Sequence, residues 1–267
     1  MNGLVVGVRG GGDLGSGAAL RLWRSGFQVF ILEIERPIAV RRTVALSEAV
    51  FDRSVVVEEM RGTLASNTAH AREIMRSGDV AVLVDRNASS LVDLRPQALV
   101  DAILAKRNTG TTRDMARLVV GLGPGFTAGS DVDAVVETRR GPWLGRVYWT
   151  GMAEADTGEP GEVQGRGASR VLRAPVDGEL TARGAIGDLV QEGQVVAQVE
   201  DVPVTAPFSG LLRGLARDGV RVRTGMKIGD VDPRPDPELC RLVSDKSLAV
   251  AGGVMESVLT HLRQNEG

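Results

Sequence analysis

The chain of 267 residues has one cysteine, two histidines, three lysines and only 3% aromatic residues. The single cysteine, Cys240, excludes an internal disulfide and any multi-cysteine metal site. Its sequence neighbourhood offers no histidine, so an inert thiol is expected. His70 falls in a predicted helix and His261 near the C-terminus, and neither has a nucleophile for company. The scarcity of aromatics argues against a base-stacking platform. A formal net charge of −2 gives no general attraction to nucleic acid or to an anionic membrane surface. No apolar run approaches the ~20 residues that cross a bilayer. The opening MNGLVVGVRGGG has no basic segment followed by an apolar run, so a secretory signal is not expected. G-x-S-x-G, H-E-x-x-H and Walker loops are all missing. With 43% hydrophobic and 25% charged residues, what remains is an ordinary globular chain, expected in the cytoplasm.

The most informative feature present is an internal repeat. APVDGELTARGAIGDLVQEGQVVAQVED (174–201) aligns without a gap on APFSGLLRGLARDGVRVRTGMKIGDVDP (206–233), at an offset of 32 residues. Ala174/Ala206, Pro175/Pro207, Gly178/Gly210, Leu180/Leu212, Gly187/Gly219, Val190/Val222, Gly193/Gly225 and Val199/Val231 are identical pairs. Neither half is long enough to bury an apolar face alone, whereas two packed halves are. Valines and leucines between glycine turns read as short strands. The doubled AP..G…G…V…G phrase resembles the biotinyl/lipoyl-like module, a small barrel-sandwich hybrid. In carriers of that kind a lysine stands on the turn joining the halves. Here the turn is Asp201-Val202-Pro203-Val204-Thr205, without lysine, and Met226-Lys227 aligns with Gln194-Val195 inside a predicted strand. No covalently bound biotin or lipoate is therefore expected. The module reads as a docking surface.

The first 165 residues alternate apolar strands with helical spacing. Leu4–Val8 is a strand, Leu14–Ser25 a helix and Gln28–Leu32 a second strand. Further on, helical character is expected near Ser47–Phe51, over Ala69–Ser77, over Pro96–Leu104 and at Arg113–Arg117. Strands are expected at Val55–Glu58, Val80–Val84 and Leu118–Leu122, with Ala134–Glu137 and Leu144–Tyr148 as a closing pair. The pattern predicts an α/β fold, with a Rossmann-like doubly wound domain over 1–165 and a small all-β barrel-sandwich hybrid over 170–234. Residues 151–170 are glycine-rich and read as a linker. A helical segment over 236–267 is expected to pack back on the first domain, with its last residues frayed.

Gly10-Gly11-Gly12-Asp13-Leu14-Gly15 satisfies G-x-G-x-x-G after a strand and at the opening of a helix. Such glycines let the backbone approach a pyrophosphate while helix N–H groups point at it. Glu33 follows at the distance where an acid binds a ribose hydroxyl. The same residues also fit a tight turn needed only for packing. Asp13 would repel a phosphate unless it caps the helix, and the cap is the favoured reading. Ser16 can reach phosphate or backbone. Gly123-Pro124-Gly125 forms a second open turn suited to an anion, or a structural crossover. Arg41 and Arg42 offer forked donors for phosphate, or a solvated pair. Lys106, Asn108, Thr109, Gly110 and Thr111 make a polar, basic loop for phosphate or substrate. Glu137 is a candidate base, with a salt-bridged carboxylate as the alternative.

Taken together, VRGGGDLGSG (8–17), ERPIAVRRTVALSEAV (35–50), VDAILAKRNTGTTRDMA (100–116), VGLGPGFTAGSDVDAVVETRRG (120–141), LGRVYWTG (144–151), the paired modules and SDKSLAVAGGVMESVL (244–259) resemble the YqeB family of the selenium-dependent molybdenum hydroxylase system. Its relatives of the XdhC type are accessory proteins for xanthine dehydrogenase-like enzymes. The resemblance implies an accessory or maturation role and a molybdenum cofactor, which is a pterin with phosphates that a nucleotide can extend. It implies a molybdenum hydroxylase, or its maturation machinery, as partner. The metal would arrive inside the pterin, so no protein metal ligands are expected. The family carries histidines where Asp133 and Pro142 stand here, which leans toward binding rather than histidine chemistry. An NAD(P)-dependent oxidoreductase using Lys106 or Glu137 as proton donor, and a non-catalytic interaction scaffold, stay open as alternatives, as does oligomer formation.

Overall fold

The sequence LVVGVR has no helix-forming periodicity and is buried from Val6 to Arg9; it forms β1 (Val5–Arg9) in the middle of a sheet. The computed structural model describes residues 3–155 and 164–265. Two units make up the chain. One comprises Met1–Pro37, Ala45–Asp156 and Val243–Gly267, the other Ile38–Val44 and Thr157–Leu242.

The first unit is built on nine strands: β1, β2 (Gln28–Glu33), β3 (Ser54–Val57), β4 (Met60–Leu64), β5 (Val80–Val84), β6 (Ala98–Asp101), β7 (Leu118–Leu122), β8 (Ala134–Val136) and β9 (Val147–Tyr148). They lie in the order β3-β4-β5-β2-β1-β6-β7-β8-β9. The inner pairs are parallel, while β3–β4 and β8–β9 at the two edges are antiparallel. The expectation of a Rossmann-like doubly wound domain is thereby corrected to a large mixed sheet. A doubly wound sheet needs a helix in each crossover. Here the chain runs from β6 to β7 and from β7 to β8 without any α-helix, and both edges turn back antiparallel. The helix expected over Pro96–Leu104 is likewise the strand β6. Its ALVD run is buried throughout, and a short apolar run carries no period to separate strand from helix.

Two longer helices pack on each other, one along β1 and β2 and the other along β7, β8 and β9. Helix α1 (Asp13–Arg24) runs back along β1 and meets the last helix of the chain, Asp245–Asn265. Before that last helix come α2 (Ala49–Asp52), α3 (Thr68–Arg76) and α4 (Leu91–Leu94), which makes it α5. Missing side chains set both of its contacts. A β-carbon at Gly17 would collide with the Ser247 hydroxyl, which donates to the Asp13 carbonyl at 2.9 Å. A β-carbon at Gly253 would collide with the Gly145 carbonyl oxygen and come within 2.7 Å of Val136. On the opposite sheet face, Phe30, Leu83, Leu99, Val119 and Phe126 pack with Ala71, Ile74 and Met75 of α3. Gly7 makes room there for the Phe30 ring.

The second unit holds β10 (Val171–Arg173), β11 (Gly178–Ala182), β12 (Leu189–Val190), β13 (Val195–Val199), β14 (Val202–Thr205), β15 (Gly210–Leu215), β16 (Arg221–Val222) and β17 (Lys227–Asp232). These make two four-stranded antiparallel sheets, β10-β17-β15-β12 and β14-β13-β11-β16. The expectation of a biotinyl/lipoyl-like barrel-sandwich hybrid is corrected to this pair of sheets. The repeat is nonetheless written into their bonding. The Gly193 N–H donates to Ala206 at 2.9 Å, and the Gly225 N–H to Ala174 at 2.8 Å. The Gly187 N–H donates to Leu212 at 2.9 Å, and the Gly219 N–H to Leu180 at 2.8 Å. Each copy's glycine turn is thus closed by the other copy. Leu180, Val196, Val199, Leu212, Leu215 and Val231 form the buried centre. The linker expected over 151–170 includes 156–163, which lie outside the described residues, as do the terminal residues 266–267. Among the described residues, no helix is long and apolar enough to cross a membrane.

The neighbours Gly252 and Gly253 should respond oppositely to one added methyl group. Gly252 is exposed with nothing near its missing β-carbon, so Gly252→Ala gains helix propensity, about 0.5–1 kcal/mol. Gly253→Ala forces α5 off the Gly145 carbonyl and should cost on the order of 1–3 kcal/mol by overpacking. Urea denaturation of the two variants reads both signs.

Candidate functional site

The carboxyl ends of β1, β2, β6, β7 and β8 carry almost every polar residue singled out in the sequence. The first to leave the sheet is the glycine turn after β1. Gly10 has φ +92, which only glycine adopts without strain, and its N–H donates to the Leu32 carbonyl at 2.8 Å. The Gly11 N–H donates to the Glu33 carboxylate at 2.8 Å. The Gly11 carbonyl accepts from the Ser16 hydroxyl and from the Ser47 N–H, each at 2.9 Å. Ser16 in turn accepts from the Leu46 N–H at 2.8 Å. A β-carbon at Gly15 would collide with the Gly10 carbonyl oxygen, so the first turn of α1 lies directly against the loop.

Gly12 differs from its neighbours. It is the N-cap of α1, with φ −72, and nothing lies within 4 Å of its missing β-carbon. No side chain caps the helix, so the expectation that Asp13 serves as the cap is corrected: Asp13 is the first helical residue. Among the described residues, the N–H groups of Gly12, Leu14 and Gly15 make no hydrogen bond to protein. Three glycines therefore play three parts: a left-handed turn at 10, an open approach at 12 and close helix packing at 15.

Glu33 is placed beside this turn, but its carboxylate holds the Gly11 and Ile34 amides, at 2.8 and 2.9 Å. Burial pushes its carboxyl above the usual range, and the two amide bonds offset part of that rise.

The segment after β6 packs against the glycine turn. A β-carbon at Gly10 would sit 3.0 Å from the Ala102 carbonyl oxygen. Leu104 and Lys106 both have positive φ, +58 and +61, an uncommon backbone for such residues. Asn108 stitches the loop: its Oδ1 accepts from the Gly110 and Thr111 amides, and its Nδ2 donates to the Thr111 carbonyl at 2.8 Å. Lys106 and Thr109 are exposed at its rim. Thr111 is fully buried, and its hydroxyl bridges Arg9 and Asp101. Arg9 lies beside Asp101 in the sheet register, with Nη1 3.4 Å from Oδ2, and Asp101 Oδ1 accepts from the Ile103 amide.

After β7, Gly123 and Gly125 have φ +75 and +107. The first has no room for a side chain beside Thr138, and the second none beside the Lys106–Arg107 backbone. This turn is shaped by packing against its neighbours. Glu137 is fully buried and accepts from the amides of Thr138 (2.8 Å), Arg139 (2.7 Å) and Glu154 (2.7 Å). With three backbone bonds it fixes the loop after β8. Asp133 holds the Val119 amide and an ion pair with Arg113. Arg41 and Arg42 belong to the second unit. There Arg41 donates to the Leu239 and Leu242 carbonyls and Arg42 to the Leu215 carbonyl. Also in that unit, Cys240 is buried, which pushes its thiol up, and Lys227 opens β17, 3.8 Å from Asp230. Among the described residues, no three histidine, cysteine or acidic side chains gather as a metal cluster.

The sequence reading passed over Arg9 and Asp101. The available signal was a charge ending each of two short, fully apolar strands, VVGVR and ALVD.

Over 261 residues, 98% of its length, the chain is 47% identical to a protein named Uncharacterized protein YqeB, from Escherichia coli strain K12. This supports the likeness to the YqeB family. The chain spans 48% of that relative, about half its length. No protein-family model matches. Among solved structures, the chain is similar to an aspartoacylase family protein from Mesorhizobium loti, at 11% identity and a TM-score of 0.27, covering 88% of this chain and 86% of that one. It is also similar to a succinylglutamate desuccinylase from Silicibacter, at 13% identity and a TM-score of 0.25, covering 86% and 85%. Likenesses at these scores carry no argument about fold or activity.

Glu33 should leave a pH signature. Its carboxyl titrates higher folded than unfolded, so its contribution to stability is complete below the ordinary carboxylate range and is lost as pH rises through the raised folded value. The destabilisation caused by Glu33→Gln should therefore be smaller at pH 7 than near pH 4.5. Paired denaturant titrations at the two values measure it, and equal costs would remove the buried-carboxylate description.

Proposed function

We propose that the first unit binds a phosphate-bearing cofactor at the carboxyl ends of its parallel strands, and that the protein serves molybdenum hydroxylases as an accessory or maturation factor. The observation that carries the binding half is the start of α1. Gly12 is open, and the N–H groups of Gly12, Leu14 and Gly15 have no protein partner among the described residues. Unpaired amides at the positive end of a twelve-residue helix favour an anion. The turn is also held in advance. Gly10 and Gly11 spend their own amides on Leu32 and Glu33, which fixes Gly12 without using it.

The molybdenum cofactor is what the sequence resemblance to the YqeB family implies as the ligand. A molybdopterin, with or without a nucleotide extension, has the phosphates this turn suits. Gly12, Leu14 and Gly15 would hold it through backbone N–H groups, with Lys106 at the rim. The metal would be carried by the pterin, which supplies the redox chemistry when delivered to the hydroxylase. The second unit is read as the docking module. Its turn between β13 and β14 carries Glu200 and Asp201, and apolar Leu189, Val195 and Val202 are exposed on its strands.

A scaffold without ligand is favoured by one specific observation, the internal bonding of the Gly10 and Gly11 amides. The oxidoreductase reading has no such support, since Glu137 is held by three amides and Glu33 by two.

Calorimetric titration with isolated molybdenum cofactor and with NAD(P) separates these readings. Cofactor binding that Gly12→Asp weakens about tenfold or more, with an unchanged unfolding midpoint, is the expected outcome, because the new carboxylate faces the approaching phosphate. NAD(P) binding with turnover would establish the oxidoreductase. Failure of all of them to bind, with the hydroxylase present as well, would leave the scaffold.

A further inference from the structure

Arg9 is a strongly basic, buried side chain at the carboxyl end of the first unit's sheet, on the face it shares with Gly7 and Asp101. It is the last residue of β1, immediately before the glycine turn, and only 6% exposed. Its Nη1 is held by Asp101 and by the Thr111 hydroxyl. Its Nε and Nη2 have no protein partner among the described residues. Neither atom is a fully buried orphan, so this edge meets solvent and is open to an acceptor that arrives from it. The Nε–Nη2 edge is a planar fork that matches two oxygens of one phosphate.

The surroundings fix that edge in place. Arg9 and Asp101 are register partners at the ends of adjacent strands. Asp101 cannot swing away, because its other oxygen accepts the Ile103 amide at 3.0 Å. Thr111 is anchored by Asn108. The segments on either side of Arg9 are the two that pack on each other: the glycine turn, which follows it in sequence, and the 102–111 loop, whose Thr111 it bonds.

We propose that Arg9 is a phosphate-binding residue of this site, gripping one phosphoryl group of the ligand through Nε and Nη2, with Asp101 and Thr111 as its positioning residues. The inference rests on the anion-binding reading of the glycine turn and adds to it a side-chain ligand and a fixed number of charges. The class of ligand follows. A diphosphate has one phosphoryl group for the α1 amides and a second for Arg9, so a diphosphate should bind more tightly than a monophosphate.

The experiment uses the full chain, with inorganic pyrophosphate and inorganic phosphate as probes in calorimetric titration. Wild type should bind pyrophosphate more tightly than phosphate. Arg9→Lys keeps the charge opposite Asp101 but loses the fork, and it should weaken pyrophosphate binding by about tenfold or more while erasing the preference over phosphate. If Arg9→Lys fails to fold, the Nε–H resonance of Arg9 in wild-type protein decides, since pyrophosphate must shift it. Binding that is lost in Gly12→Asp yet unchanged in Arg9→Lys, or an unmoved Nε–H resonance at saturation, would overturn the role of Arg9 and leave the glycine-turn site standing. No binding of either probe to wild type would overturn both.

Discussion

The contact on which the first unit depends is between two pieces of backbone. The α-carbon of Gly15 lies against the carbonyl oxygen of Gly10, where no other residue has room. That contact brings the first turn of α1 onto the end of β1. It also orients the Gly10–Gly12 turn, so that one N–H meets Leu32, the next meets Glu33 and the third stays open. Everything at the carboxyl end of the sheet is arranged around this turn. Ser47 and Leu46 tie in from one side through Gly11 and Ser16. Ala102 and its loop close in from the other, and the Gly123–Gly125 turn packs on that loop in its turn.

Bonding within the loops divides the polar residues into those that build and those that remain available. Glu33, Asn108 and Glu137 are turned toward nearby amides and hold loops in shape. A carboxylate with two or three backbone donors is a rigid element, because moving it strands every N–H it served. Gly12 and the outer edge of Arg9 lie on the other side of the division. The proposed ligand site would rely on helix amides and one fork of charge, set into a frame whose carboxylates are already committed.

Several of these features can be read in the amino-acid string, and for a common reason: they depend on glycine. A turn at φ +92, an open approach and a close helix contact each require a missing side chain, so the spacing 10, 12, 15 survives as a pattern. The repeat is legible for the same reason, through Gly187/Gly219 and Gly193/Gly225. What could not be read is partnership. Glu33 stands at the distance of a ribose-binding acid, yet it serves Gly11, and nothing in its sequence spacing distinguishes the two uses. Arg9 was passed over because a charge that ends an apolar run ordinarily marks the surface. The spacing over 96–104 predicts a helix where β6 stands, since Ala98-Leu99-Val100 is apolar at every position and too short to show a period. The fold class failed at the connections. Alternating strands suggest a helix in each crossover, whereas the chain passes from β6 to β7 and from β7 to β8 without an α-helix.

The duplicated segment has a consequence for ancestry. Gly193 closes on Ala206 while Gly225 closes on Ala174, and Gly187 meets Leu212 while Gly219 meets Leu180. Every one of these bonds runs from one copy to the other, and they come in exchanged pairs, as across a twofold axis. A lone 28-residue segment would have four such groups with nothing to meet, and a second identical segment would satisfy all of them at once. The arrangement is that of a small homodimer whose two subunits have been joined end to end in a single gene.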